Sequence, residues 1–340
     1  MGVRHPALAW TIAAGLSAAV LLALGGLAYQ RDLARETLRV SSGSAIADTK
    51  CGPIEFAAAG SGPAVLLVHG AGGGFDQMLG FVHEFAAAGF RAVAMSRFGY
   101  LRTPLPADAS PAAQADAHAC LLDALGIARA GVVGVSAGAP SSLQFALRHP
   151  HRTDALVLLV PLAYAPRAVS KVPAGPSPTA LFVIGRATQS DLLYWAALKV
   201  APSLLLGTIL GTPPGLLGSA SPHEQARVRE LLRQILPLSA RRQGLMNEAA
   251  IAASLPRYEL ERISTPTLVV SVADDRYGTF ESARYTAQQI PRARFIGYPS
   301  GGHVWIGHHR ELTAEMLGFL RTIAPHGSPT GIDASYREKP

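Results

Sequence analysis

Three short stretches hold residue types that can act together on a carbonyl group. Gly134-Val135-Ser136-Ala137-Gly138 offers a hydroxyl flanked by small residues, Asp274-Asp275 a pair of carboxylates, and Gly301-Gly302-His303 an imidazole. A serine hydroxyl is a poor nucleophile unless a base takes its proton and a third group orients that base. Serine, acid and histidine in this chain order are one arrangement that meets the need. The glycines two positions either side of Ser136 have a steric purpose, since only small neighbours let the chain turn sharply enough to expose Oγ. A fourth stretch, His69-Gly70-Ala71-Gly72-Gly73-Gly74, brings small residues whose backbone amides can approach a developing oxyanion. We assign that task to the amides of Ala71 and Ala137, with Gly72 as the alternative to Ala71 and as a substrate contact. As a phosphate cradle the glycine run is unsuitable, because no G-K-[ST] follows and it lacks the dinucleotide-binding spacing.

Each stretch follows a short apolar run that reads as a buried strand. These runs are AVLLVHG (64–70), GVVGV (131–135), PTLVVSV (266–272) and ARFIGYP (293–299), joined by RAVAMS (91–96) and DALVLLV (154–160). Helical stretches separate them at 76–89, 111–126, 139–149, 280–290 and about 309–323. Pro111 suits a first helical turn and Gly126 a helix end, while Pro140 falls in the first turn after Ser136, where amides have no intrahelical partner to lose. Strands spaced by helices predict a mostly parallel sheet covered on both faces. From 164 to 258 strand signals are sparse and amphipathic stretches such as EQARVRELLRQIL recur, which predicts a helical cap inserted into an α/β core. The expected division is a flank at 1–6, a membrane anchor at 7–29, a linker at 30–50, core at 51–163, cap at 164–258, core again at 259–324 and a disordered tail at 325–340.

The anchor rests on an uncharged stretch from Ala7 to Ala28, as long as the roughly 20 apolar residues a helix needs to cross a bilayer. A cleavable signal is the rival, with Gly26-Leu27-Ala28 as a small-x-small site and a secreted or periplasmic product. Of the 340 residues 49% are hydrophobic and 16% charged, enough for a sizeable core. The net charge of +7 comes from scattered arginines with no basic–aromatic patch, so nucleic acid is not expected as a partner. The lipid bilayer is an expected partner through the anchor, and no specific protein partner is inferred. Cys51 and Cys120 allow at most one disulfide and no Cys/His metal site, and no metal or cofactor is expected.

Taken together, HGAGGGFDQ, SRFGYLRT, GVSAG, the strand end at Asp275 and GGH resemble the α/β-hydrolase fold family, in the type with a helical cap between the sixth and seventh core strands. The resemblance covers about residues 52–324, and HGAGGG is similar to the oxyanion loop of carbon–carbon bond hydrolases acting on ring-cleavage products. It implies Ser136 as nucleophile, His303 as base and Asp275, rather than Asp274, as the orienting acid. It further implies a small apolar ester-type molecule as partner, cleaved at an ester or related acyl bond without a cofactor, with carbon–carbon bond hydrolysis at the same site as the alternative; a hydrolase-like binding protein without turnover is the reading from another class. The chain departs from the family pattern at Arg97–Thr103, which lacks a second glycine, and at Gly278-Thr279, where a proline is common. His69 is read as structural, Asp76 as a helix N-cap, and the other helical histidines, His118 among them, as surface or cap residues. Tyr194, Trp195, Leu204, Leu205, Leu206 and Leu210 are candidates for lining an acyl pocket, with packing of the cap as the alternative.

Overall fold

The computed structural model describes residues 6–166 and 190–323. The first part of the expected cap, 167–189, and the expected tail, 325–340, lie outside the described residues. Eight strands form one sheet: β1 (Ala45–Thr49), β2 (Gly52–Ala59), β3 (Ala64–Val68), β4 (Arg91–Met95), β5 (Ala130–Val135), β6 (Thr153–Leu159), β7 (Thr267–Val272) and β8 (Ala293–Tyr298). Their order is β1-β2-β4-β3-β5-β6-β7-β8. The β1–β2 and β2–β4 pairs are antiparallel and every other pair is parallel.

Side chains of a strand alternate between faces, so a doubly covered sheet needs two apolar layers. Leu66, Val68, Val93, Val132, Leu156 and Val269 face one layer, packed by α3 (Pro111–Ala124), α4 (Ala139–Arg148) and the later α10 (Thr279–Gln289). Val65, Leu67, Val133, Val157, Leu159 and Val270 face the other, packed by α2 (Leu79–Ala87) and α11 (His309–Ile323). Ser110 caps α3 by accepting from the Ala113 N–H, with Pro111 in its first turn as expected.

Between β6 and β7 lie α5 (Asp191–Val200), α6 (Pro202–Thr208), α7 (Gly215–Ser219), α8 (Pro222–Gln234) and α9 (Arg242–Ala253). They share a core of Tyr194, Leu205, Leu232, Ile235, Leu236 and Leu238. A second cluster, Leu206 and Val228 with Val304 and Ile306, seats these helices on the loop after β8.

The N-terminal helix α1 (Pro6–Ser41) corrects one expectation. Residues 30–50, read as a linker, are the end of α1 followed by β1, which joins the sheet. The stretch QRDLARETL is rich in helix formers, and its two acidic residues are paired: Glu36 with Arg39 and with Arg233 of α8, and Asp32 with Lys199 of α5. Tyr29 packs edge-on against Trp195. Nearer the N-terminus Leu16, Leu21, Leu22 and Leu27 are exposed, and α1 is long and apolar enough to cross a membrane or to serve as a signal sequence. Cys51, in the β1–β2 turn, is disulfide-bonded to Cys120 of α3.

Candidate active site

Ser136 stands where β5 gives way to a single 3-10 turn and then α4. Its φ is +50°, a left-handed conformation that bulky residues seldom hold, and it is what a sharp strand-to-helix turn demands. The flanking glycines are required by contact. A Cβ at Gly138 would lie 2.7 Å from the carbonyl oxygens of Val68 and His69, and one at Gly134 would lie 2.4 Å from Ser142 Oγ. Pro140 sits in the first turn of α4, as the sequence predicts.

The structure brings the three sequence-predicted side chains into one hydrogen-bonded chain. Ser136 Oγ–H donates to His303 Nε2 over 2.9 Å, and His303 Nδ1–H donates to Asp275 Oδ2 over 2.8 Å. Ser136 is half-buried, whereas His303 and Asp275 are buried. The Asp275 carboxylate also accepts from the Tyr277 N–H at 2.8 Å and from the Thr279 hydroxyl. Burial acts to raise its pKa, but the adjacent imidazole and these donors outweigh that and hold it below the usual carboxylate range. Asp274 does not face His303; its Oδ1 accepts the Gly302 N–H at 2.7 Å and so braces the histidine loop. An imidazole held this way can take a proton from Ser136 and return it, with an anionic carboxylate to balance the imidazolium.

The glycine loop lies directly against this chain, since a Cβ at Gly70 would come within 3.2 Å of Ser136 Cβ. The Ala71 and Ala137 amides have no hydrogen-bond acceptor among the described residues, while the Gly72 N–H donates to Tyr100 Oη at 3.3 Å. Of the three candidate amides, Gly72, close to Ile235, is thus engaged within the protein, and Ala71 and Ala137 have no internal acceptor among the described residues. His69 is fully buried; its Nε2 accepts the Arg97 N–H at 3.0 Å, which leaves Nδ1–H to donate to Gly70 O at 2.7 Å. Arg97 Nη2 donates to the same carbonyl at 3.3 Å and Nη1 to Ala137 O at 3.1 Å, its charge balanced by Glu248 of α9.

A model of the alpha/beta hydrolase fold family matches residues 63–306. The chain belongs to that family. This α/β hydrolase is 40% identical over 105 residues to an uncharacterised protein of Mycobacterium tuberculosis, a match over 31% of this chain and 30% of that relative's length. It is 34% identical over 108 residues to a 2-hydroxy-6-oxo-6-phenylhexa-2,4-dienoate hydrolase of Burkholderia cepacia, covering 30% of this chain and 38% of the relative. Among solved structures, an alpha/beta hydrolase fold protein from Nakamurella multipartita superposes with a TM-score of 0.65 at 28% identity, over 82% of this chain and 99% of the other. An esterase from Thermogutta terrifontis shares the fold, with a TM-score of 0.59 at 23% identity over 83% and 99% of the two chains.

Two candidate residues of the hydrolase are not part of the site. Tyr194 is fully buried in the cap's own core, where its hydroxyl donates to Leu232 O at 2.8 Å. Trp195 packs toward α1 and its Nε1–H donates to Asp32 at 3.0 Å. Asp76 is not an N-cap either: it lies inside a 3-10 turn (Phe75–Met78) whose N-cap is Gly74, α2 begins after Met78, and the Asp76 carboxylate is buried between Arg39 and Arg241. His118, read as a surface or cap residue, is fully buried with its Nε2 3.1 Å from Ser141 Oγ. Sequence reasoning also missed Thr279 and Glu248; the position of Thr279, four residues after Asp275 on a helix start, is the only signal that pointed to it. Among the described residues no group of three or more His, Cys, Asp or Glu side chains could hold a metal ion.

Proposed function

We propose that this α/β hydrolase cleaves an ester or related acyl bond of an apolar small molecule through an acyl-enzyme on Ser136. The reading is carried by the Ser136–His303–Asp275 chain, with contacts of 2.9 and 2.8 Å, beside two unoccupied backbone amides. In this mechanism His303 takes the Ser136 proton as Oγ attacks the carbonyl carbon, and the oxyanion rests on the Ala71 and Ala137 N–H groups. His303 then protonates the departing alkoxide, and afterwards takes a proton from the water that releases the acid and restores Ser136. Leu162, which lines a cavity together with Ala137, and Ile235, close to Gly72, support an apolar acyl group.

A carbon–carbon bond hydrolase is the second reading, favoured by the likeness to the Burkholderia cepacia enzyme. A fluorophosphonate probe tests the nucleophile: wild-type protein is labelled, Ser136→Ala is not, and Ser141→Ala is. Unlabelled, folded wild-type protein defeats the proposal. A panel of p-nitrophenyl esters of graded chain length, run beside vinylogous diketones, separates the two bond types and sizes the pocket.

We further propose that α1 anchors the enzyme in a membrane with its body on an oxidising side, where a disulfide such as Cys51–Cys120 persists. The intact mass of the mature protein distinguishes this anchor from a cleaved signal.

A further inference from the structure

The loop at residues 69–74 is read above as the oxyanion loop, and the following inference rests on that reading. Its amides are useful only if the loop is held still. Gly73 N–H donates to Gly70 O at 3.3 Å, closing a four-residue turn whose third member, Gly72, has φ +69° and favours glycine. Such small residues cannot lock the turn by their own packing. The restraints come from outside: Gln77 Oε1 accepts the Gly70 N–H at 2.9 Å, Tyr100 Oη accepts the Gly72 N–H, and Arg241 Nη1 donates to Gly73 O.

Arg241 is fully buried and is itself held at two ends. Its fork meets both oxygens of Asp76, at 3.1 and 2.8 Å, and its Nε donates to Ile235 O at 3.1 Å. Both of these supports lead to Arg39 of α1. Arg39 Nη1 donates to Asp76 Oδ2 at 2.5 Å, and its Nη2 donates to the carbonyls on either side of Ile235, those of Gln234 at 3.2 Å and Leu236 at 3.0 Å. Glu36, one turn earlier on α1, accepts from Arg39 Nε at 2.6 Å and fixes its direction. Without Arg39 the Asp76 carboxylate can rotate about its last bond, and the Arg241 fork that grips Gly73 O rotates with it.

We propose that Arg39 is a positioning residue for the oxyanion loop, so that α1 is a working part of the active site as well as a tether. The rival account is that Arg39 merely docks α1 onto the cap. Lys199 supplies the control: it bridges to Asp32 of α1 at 2.9 Å and makes no hydrogen bond or ion pair with Glu36, Arg39, Asp76 or the glycine loop.

The test uses full-length protein in detergent and a p-nitrophenyl ester, with active sites counted by end-point fluorophosphonate titration so that unfolded molecules do not count. Arg39→Ala lowers kcat per site roughly tenfold or more while KM stays within about twofold, the pattern of lost transition-state positioning. Arg39→Lys, which keeps the charge with a single donor group, recovers part of that loss. Lys199→Ala leaves kcat per site near the wild-type value. The proposal is overturned if Arg39→Ala and Lys199→Ala have equal kcat per site, or if the change appears in KM alone. Should the alanine variant not fold, Arg39→Lys decides: a kcat equal to wild type overturns the proposal, and a partial loss supports it. Wild-type protein that the probe does not label at Ser136 overturns both this inference and the proposed function; labelled wild-type with an unaffected Arg39→Ala overturns this inference alone.

Discussion

The two adjacent carboxylates beyond β7 hold different partners, Asp275 the imidazole and Asp274 the backbone of the loop that carries it. Asp275→Asn can donate as well as accept at His303 Nδ1, which favours the wrong tautomer and loses the counter-charge. We expect it to lower kcat by about 10³–10⁴-fold, the scale seen for such a change in serine proteases, while Asp274→Asn costs about tenfold or less. Steady-state kinetics on the two variants check this, and a milder Asp275 variant contradicts the assignment. Ser136, Asp275 and His303 were legible in the sequence because each must sit at a strand end and in a fixed chain order, and both constraints are local. Tyr194 and Trp195 were not. Amphipathic spacing shows that a helix buries one face, but it is silent on whether that face meets a substrate, another cap helix or α1. Asp76 carried a similar ambiguity, since its arginine partners lie 37 residues before it and 165 after it in the chain.

At the level of elements, the parallel strands and their helices were legible because continuous β-branched runs alternate with helical stretches. β1 and β2 were not, because AIADT and GPIEFAAA are poor in β-branched residues and β1 is an edge strand with one mostly exposed face. The junction from β5 to α4 is the element most sensitive to side-chain volume. In Gly138→Ala the new methyl meets the Val68 and His69 carbonyls, which belong to β3 and its loop and cannot swing away as a side chain could. We expect the change to destabilise the fold by about 1–3 kcal/mol. A lowered Tm together with slower fluorophosphonate labelling records both effects, and an unchanged Tm contradicts the steric account.

For the molecule as a whole, acid sensitivity follows from two imidazoles that carry no charge in the folded state. Burial lowers the pKa of both His69 and His118, with the Arg97 charge adding to it, and His118 comes down to about 3. An unfolded histidine titrates near 6.5, so below that pH the unfolded chain binds protons that the folded chain refuses. The stability these groups contribute is fully present above about pH 6.5 and is lost as the pH falls, each histidine adding up to about 1.4 kcal/mol per pH unit to the slope. Urea midpoints at pH 7, 6 and 5 should decline in step. His118→Gln, less stable at every pH, should remove about half of that slope; an unaltered slope contradicts the assignment. The same distribution of the site along the chain governs when the enzyme becomes active. Ser136 and His303 are 167 residues apart, and the cap helices are made between them. During synthesis the serine, its turn and the glycine loop are complete while His303 is still unmade. On the proposed mechanism the nascent chain therefore carries an unactivated hydroxyl until β8 has joined the far edge of the sheet, and the site is assembled only once that strand is in place.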